Sequence, residues 1–362
     1  MSADKKATVI EYVDIRIIAT LLVIVGHGTK IVMTKKCGEF PTFEYGEISV
    51  YLEYFRQIIY SFHMPLFFML SGSVFAVSFQ NHTPQEWIRN RIKRLMIPYF
   101  VVAAFWLVPV RVFVNYYYQY KEPINSILFN DYLLSYDVNY LWFVLALTEI
   151  SILMLPLKEV LFKKSLSVNC SMLCVLLFIS AAQFLIPQLP FQISSALRFL
   201  FWFYLGACFE LNRNNISSKL NMKHFYCFFV IWVLAFLMHT YFEHALAENL
   251  FADIEPLIKI IKMGVRYVME FSGSMTVYTF ALLKKPEPNR IARIIDHRSF
   301  HIYLLHCPFI YLIQYTYSII FSGWNIMWAQ YILLVIIQLC MALLLSVGLD
   351  YLLSYLKQRL LQ

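Results

Sequence analysis

The chain has 362 residues, 60% of them hydrophobic and only 14% charged, with a formal net charge of +8. A soluble domain carries about 25% charged residues, and the repeated apolar runs near 20 residues exclude that class in favour of a polytopic membrane protein. Nucleic-acid binding is a poor explanation of the positive balance, because the basic residues fall mostly in short segments between apolar runs, where membrane orientation accounts for them.

The first apolar run covers 13–33 and contains Asp14, Arg16 and His27. The N-terminus has no cleavable signal pattern, so this run is expected to stay as a membrane span. Arg16 and His27 are eleven residues apart, which on a helix is three turns plus about 20°, with an axial separation of about 16 Å. One face therefore holds a cation near one membrane surface and an imidazole beyond the midpoint. Lipid penalises both groups, so this face should look into the protein.

Nine further spans are expected at 55–79, 95–118, 139–157, 168–187, 193–211, 224–242, 262–283, 299–321 and 327–353. The eighth is unusual in containing Lys262, Arg266 and Glu270, and the last is long enough to tilt or to extend past the bilayer. The segment 34–54 reads as an outer loop and 80–94 as a cytoplasmic one. Basic residues concentrate in alternate connections: Lys5–Lys6, Arg89–Arg94, Lys158–Lys164, Arg213–Lys223, Lys284–Arg298 and Lys357–Arg359. An even number of spans with both termini in the cytoplasm gives that alternation. The expected architecture is all-α, with about ten transmembrane helices in a single domain over 1–362 and no soluble appendage. The seven cysteines show no metal-ligand spacing and read as small buried hydrophobes, apart from Cys37 in a loop.

Six ionisable groups within the apolar runs are expensive enough to need explaining: Arg16, His27, His63, Glu149, Glu270 and His306. His27, His63, Glu149 and His306 fall near the membrane midplane or on its outer side, judged from about 1.5 Å per residue. Such a set suits general-base catalysis. A neutral imidazole takes a proton from a hydroxyl, and a carboxylate orients the ring. Proton relays and ion pathways use the same residue types, so a transporter is also open, and a histidine can simply bond to a neighbouring helix. No GxSxG elbow is present. Pro65 should kink the second span beside His63. Ser71–Gly72 allows either close helix packing or a deep polar contact. Arg91 and Arg94, one turn apart, could face one anionic group or serve only topology and snorkelling.

The motifs in order are Arg16 with His27, Phe68-x-x-Ser71-Gly72, Arg91-x-x-Arg94, Leu141-Trp142-Phe143 followed by Glu149, and Ser299-x-x-Ile302-Tyr303-Leu304-x-His306. Together they resemble the membrane acyltransferase-3 family, in particular its polysaccharide O-acetyltransferase and fucose 4-O-acetylase-like group. Larger members carry a hydrolase-like domain after the membrane core. The resemblance implies transfer of an acetyl group from acetyl-CoA to a hydroxyl of a surface-glycan or lipid-linked sugar, in the bacterial inner membrane. It implies His27 as the catalytic base, with Glu149 assisting, and Arg16, Arg91 and Arg94 on the donor side. Asp14, His63, Ser71, Trp142, Glu270 and His306 are further pocket candidates. No tightly bound cofactor or metal is implied. The implied partners are acetyl-CoA, the glycan acceptor and membrane lipid, with glycan-assembly proteins or a second copy of the chain as further partners. The alternative is a transporter or flippase-like protein for an acyl group or lipid-linked sugar.

Overall fold

The computed structural model describes residues 10–29, 46–114, 116, 123–135, 139–163, 165–248, 252–284, 289–320 and 328–360. Among these the chain is all-α. The main helices are α1 Ile10–Gly28, α2 Gly46–Tyr60, α3 His63–Ser78, α4 Pro84–Phe113, α5 Trp142–Phe162, α6 Leu166–Ala182, α7 Ile193–Leu211, α8 Met222–Ala247, α9 Glu255–Leu283, α10 Arg290–Ile320 and α11 Trp328–Leu360. Four helical stretches among the described residues are long and apolar enough to cross a bilayer: Val50–Ser78, Pro84–Phe113, Met222–Ala247 and Ala329–Leu356. Leu234 and Leu237 on α8, and Leu333, Ile336 and Leu344 on α11, point outward. Such apolar faces suit lipid and would be a liability in water. Several long apolar helices with outward apolar faces are what a multi-pass membrane protein presents.

Prolines explain much of the local geometry. Thr83 starts α4 with a capping box: its hydroxyl accepts from the Glu86 amide at 3.3 Å, and the Glu86 carboxylate accepts from the Thr83 amide at 2.9 Å. Helix α4 then contains two wide π turns, Ile92–Met96 and Ala103–Leu107, each just ahead of a proline, Pro98 and Pro109. A proline supplies no N–H to the carbonyl four residues earlier, and the wide turn absorbs the mismatch. The second expected span is interrupted at Ser61–Phe62, ahead of Pro65. Pro65 instead sits in the first turn of α3, where its missing N–H has no intrahelical partner to lose. Several boundaries differ from the sequence reading: the expected 80–94 loop is already helical from Pro84, α9 begins at Glu255 rather than 262, and α11 runs to Leu360 rather than 353. The last nine residues of the expected 34–54 loop are already helical in α2, and α10 begins at Arg290 rather than 299. His306 therefore lies at mid-helix.

Helix α1 is the hub, packing against α2, α3, α9, α10 and α11. Helices α3 and α7 cross closely, with Gly72 and Gly206 each against the other helix's backbone. A Cβ on Gly72 would meet the Phe203 carbonyl, and one on Gly206 would meet the Met69 backbone. Ser73 bridges the same crossing by donating to the Gly206 carbonyl at 2.9 Å. This is the small-residue mode by which membrane helices approach. Of the described cysteines, Cys208 and Cys307 are buried, whereas Cys170, Cys174, Cys227 and Cys340 are exposed on outer helix faces. The uniform burial expected from sequence fails for these four, because an apolar run in a membrane protein faces lipid as readily as core. Cys37 lies outside the described residues.

Candidate functional site

A cavity of about 730 Å³ opens between α1, α3, α5, α7 and α9, which is within the usual size range of small-molecule sites. Its walls include His27, His63, Trp142 and Glu270 of the sequence candidates, together with Tyr60, Tyr140, Gln192, Arg198, Arg266 and Tyr303.

His27 lies in the last turn of α1 and is ringed by aromatics. Its ring centroid is 5.4 Å from that of His306, 6.2 Å from Tyr140 and 6.4 Å from Tyr60. Tyr60 in turn stacks on His63 at 4.8 Å. Three histidines from α1, α3 and α10 thus converge around two tyrosines. His63 Nδ1 meets the Ile59 carbonyl at 3.0 Å, and His306 Nδ1 meets the Tyr303 carbonyl at 2.7 Å. A carbonyl oxygen only accepts, so in the neutral rings Nδ1 holds the proton and Nε2 the lone pair. His306 is fully buried, and its Nε2 has no hydrogen-bond partner among the described residues.

Helix α10 supports this cluster through another proline effect. Pro308 deprives the Leu304 carbonyl of its intrahelical donor. The Tyr140 hydroxyl supplies the missing bond at 2.7 Å, and the Tyr303 hydroxyl donates to the Tyr140 carbonyl. These two bonds fix Tyr140 against both His27 and His306.

The opposite wall is charged. Arg198 on α7 and Arg266 on α9 both donate to Oε1 of Glu270, at 3.1 and 3.0 Å, and Glu270 is only 4% exposed. A carboxylate left alone in such a place is costly, and two guanidiniums neutralise it with one charge to spare.

The other sequence candidates lie elsewhere. Arg16 pairs with Asp296 of α10 at 2.5 Å, and Asp14 with Lys284 at 2.8 Å, both three turns along α1 from His27. Near them Tyr12 donates to Glu210, and the Arg213 guanidinium lies 5.2 Å from the Tyr12 ring centroid. Arg91 stacks on Trp87 with its guanidinium carbon 4.0 Å from the ring centroid, and Arg94 is exposed. Trp87 packs with Phe75 and Phe79, which also contact Phe162 at the far end of α5. Trp142 is twenty residues from Phe162, so the two arginines lie about 30 Å along α5 from the cavity. Glu149 is half-buried on the same face of α5 as Trp142, about 10 Å further along, and does not line the cavity. Its Oε2 has no hydrogen-bond partner among the described residues. Ser71 is half-buried and also away from the cavity lining. Among the described residues no group of three His, Cys, Asp or Glu side chains could hold a metal ion.

Sequence reasoning did not single out Arg198, and it treated Arg266 only as a weakness of its span. The available signal was one cation inside the 193–211 run and the four-residue spacing of Arg266 and Glu270.

An all-helical membrane protein with an imidazole and tyrosine cluster facing a polar cavity fits an enzyme acting on a small polar group. The chain matches the acyltransferase-3 family, described as an acyltransferase domain, over residues 10–350, and it belongs to that family. No curated protein and no solved structure gives a significant match.

Proposed function

We propose that the chain is an inner-membrane O-acyltransferase that moves an acetyl group from acetyl-CoA to a hydroxyl of a lipid-linked or surface-glycan sugar. Family membership supports acyl transfer in general. The observation that carries the finer reading is the position of His27 on the wall of a polar cavity, beside His306 and two tyrosines.

His27 acts as the base. It takes the proton of the acceptor hydroxyl as that oxygen bonds to the thioester carbonyl carbon. The carbon–sulfur bond then breaks, and the imidazolium returns the proton to the departing thiolate. The products are the sugar ester and free CoA. The Tyr60 and Tyr140 hydroxyls each give their single proton to a backbone carbonyl, Gly26 and Leu304, so these rings shape the space around His27 and do not supply the oxyanion donors. His306 and Tyr140 position the His27 ring. Glu149 was the carboxylate suggested by sequence, but its separation from the cavity leaves it an indirect role. The donor side is assigned to Arg16, Arg91 and Arg94, whose guanidiniums suit phosphate oxygens. Arg16, about 16 Å from His27, is nearer than the other two.

The test uses purified protein in nanodiscs with radiolabelled acetyl-CoA and a crude lipid and glycan extract. Label transfer by wild type, and its loss by at least about 100-fold in His27→Ala, is the expected result. Intact transfer in the variant removes His27 as the base. Folded wild-type protein that neither binds nor consumes acetyl-CoA in the presence of the extract removes the acetyltransferase reading and favours a transporter.

A further inference from the structure

The three charged side chains on the cavity wall do not balance. Arg198 and Arg266 share one oxygen of Glu270, so the wall carries one positive charge beyond what the carboxylate cancels. The histidines in the same cavity add no negative charge. Each guanidinium presents five N–H donors, and each has one hydrogen bond given to Glu270. Both are held in place by rings. Arg198 lies over Phe184 and Phe199 at 5.0 and 4.9 Å, and Arg266 lies over Phe184 at 5.2 Å.

A structural ion pair between two helices needs one cation for one anion. Among the described residues lining this cavity Glu270 is the single carboxylate, and Glu53 and Glu243 of an adjoining cavity already have cations of their own in Arg56 and Lys262. The second arginine therefore adds desolvation and like-charge repulsion. Its placement makes sense if a further anion arrives. A second cavity of about 920 Å³ adjoins the first and shares Tyr60, Arg266 and Glu270 as its wall. Its lining mixes polar and charged side chains, Glu53, Arg56, Gln57, His239 and Glu243, with apolar ones such as Phe236 and Leu237. Arg266 therefore stands at the junction, where a ligand extending from one cavity into the other would pass.

We propose that Arg198 and Arg266 form a subsite for a carboxylate or phosphate group on the acceptor, which makes the substrate an acidic sugar or sugar phosphate. The inference rests on the reading that the acceptor sugar occupies the His27 cavity. Planar guanidinium donors match both oxyanions, and the low-dielectric wall strengthens the attraction. The remainder of an extended acceptor continues into the second cavity.

The experiment measures binding without acetyl-CoA, so its outcome is independent of whether acyl transfer is found. Full-length protein in zwitterionic nanodiscs is titrated with matched pairs, methyl glucuronide against methyl glucoside, methyl galacturonide against methyl galactoside, and glucose 6-phosphate against glucose. The readout is quenching of tryptophan fluorescence, since Trp142 lines the cavity. In at least one pair the acidic member should bind ten times more tightly or better. That ratio should fall to within twofold in Arg266→Gln and survive in Arg266→Lys. Glu270→Gln, which leaves two cations unopposed, should raise the ratio, a change that a purely structural ion pair would not produce. Equal binding within every pair overturns the proposal. So does a preference that persists in both Arg198→Gln and Arg266→Gln. If those two variants instead lose affinity for CoA alone, the subsite belongs to the donor and the acceptor assignment is wrong.

Discussion

Pro308 and Tyr140 form a coupled pair whose energetics can be worked from the structure. The Leu304 carbonyl is buried, and Pro308 cannot donate to it, so the Tyr140 hydroxyl at 2.7 Å is its substitute donor. Tyr140→Phe keeps the ring but orphans that carbonyl, which costs about 1–3 kcal/mol in a buried setting. Interhelical hydrogen bonds in membranes run from roughly 0.6 to 1.7 kcal/mol, because the unfolded helices find other partners. The lower range should win here, giving a loss of about 1–1.5 kcal/mol, roughly tenfold in the unfolding constant. Pro308→Ala restores a backbone N–H at the right register. In wild type it should change little, because the carbonyl already has its donor. In the Tyr140→Phe background it should recover most of the loss. Unfolding in mixed micelles of rising SDS content, followed by tryptophan fluorescence, measures all four corners of the cycle. Additivity of the two changes to within about 0.3 kcal/mol would refute the reasoning, since independent sites add to that precision.

The α3–α7 crossing should not tolerate bulk: Gly206→Leu forces backbones apart where even a Cβ meets Met69, and is expected to abolish monodisperse protein on size-exclusion chromatography. Glu149→Gln should lower acetyl transfer less than threefold, because Glu149 is about 10 Å along α5 from Trp142; a loss beyond tenfold, with stability unchanged, would place it in the reaction after all. Swapping the pair on α1 and α10, as Arg16→Asp with Asp296→Arg, should restore folded yield relative to either single change. The swapped protein should still bind acetyl-CoA at least tenfold more weakly than wild type, and full recovery of donor affinity would show Arg16 to be purely structural.

Hydropathy and charge bias are local properties of the chain, and they were enough to announce an all-helical membrane protein. Among the described residues the expected spans are largely helical, and four helical stretches are long and apolar enough to cross a bilayer, because an apolar run of that length has few ways to satisfy its backbone in lipid except by winding. Boundaries were less legible. Helix α10 runs nine residues before its apolar stretch, since Arg290–Arg298 wind outside the apolar run and need no hydropathic signal. Gly72 stood out in the sequence, but its partner Gly206 on α7 did not, because helix–helix packing is a pairing between distant segments.

The site shows the same division. That His27, His63, Glu270 and His306 were expensive in an apolar run could be read from residue type and position alone. That His27 meets both His306 and Tyr140, while Arg16 turns to Asp296 and Glu149 lies away from the cavity, depends on which helices touch. Arg198 and Arg266 gain their joint meaning only when α7 and α9 bring them to one oxygen of Glu270. Sequence determined which groups the membrane would penalise; tertiary structure alone decided which of them face one another, because that choice rests on contacts between residues 72 to 280 positions apart.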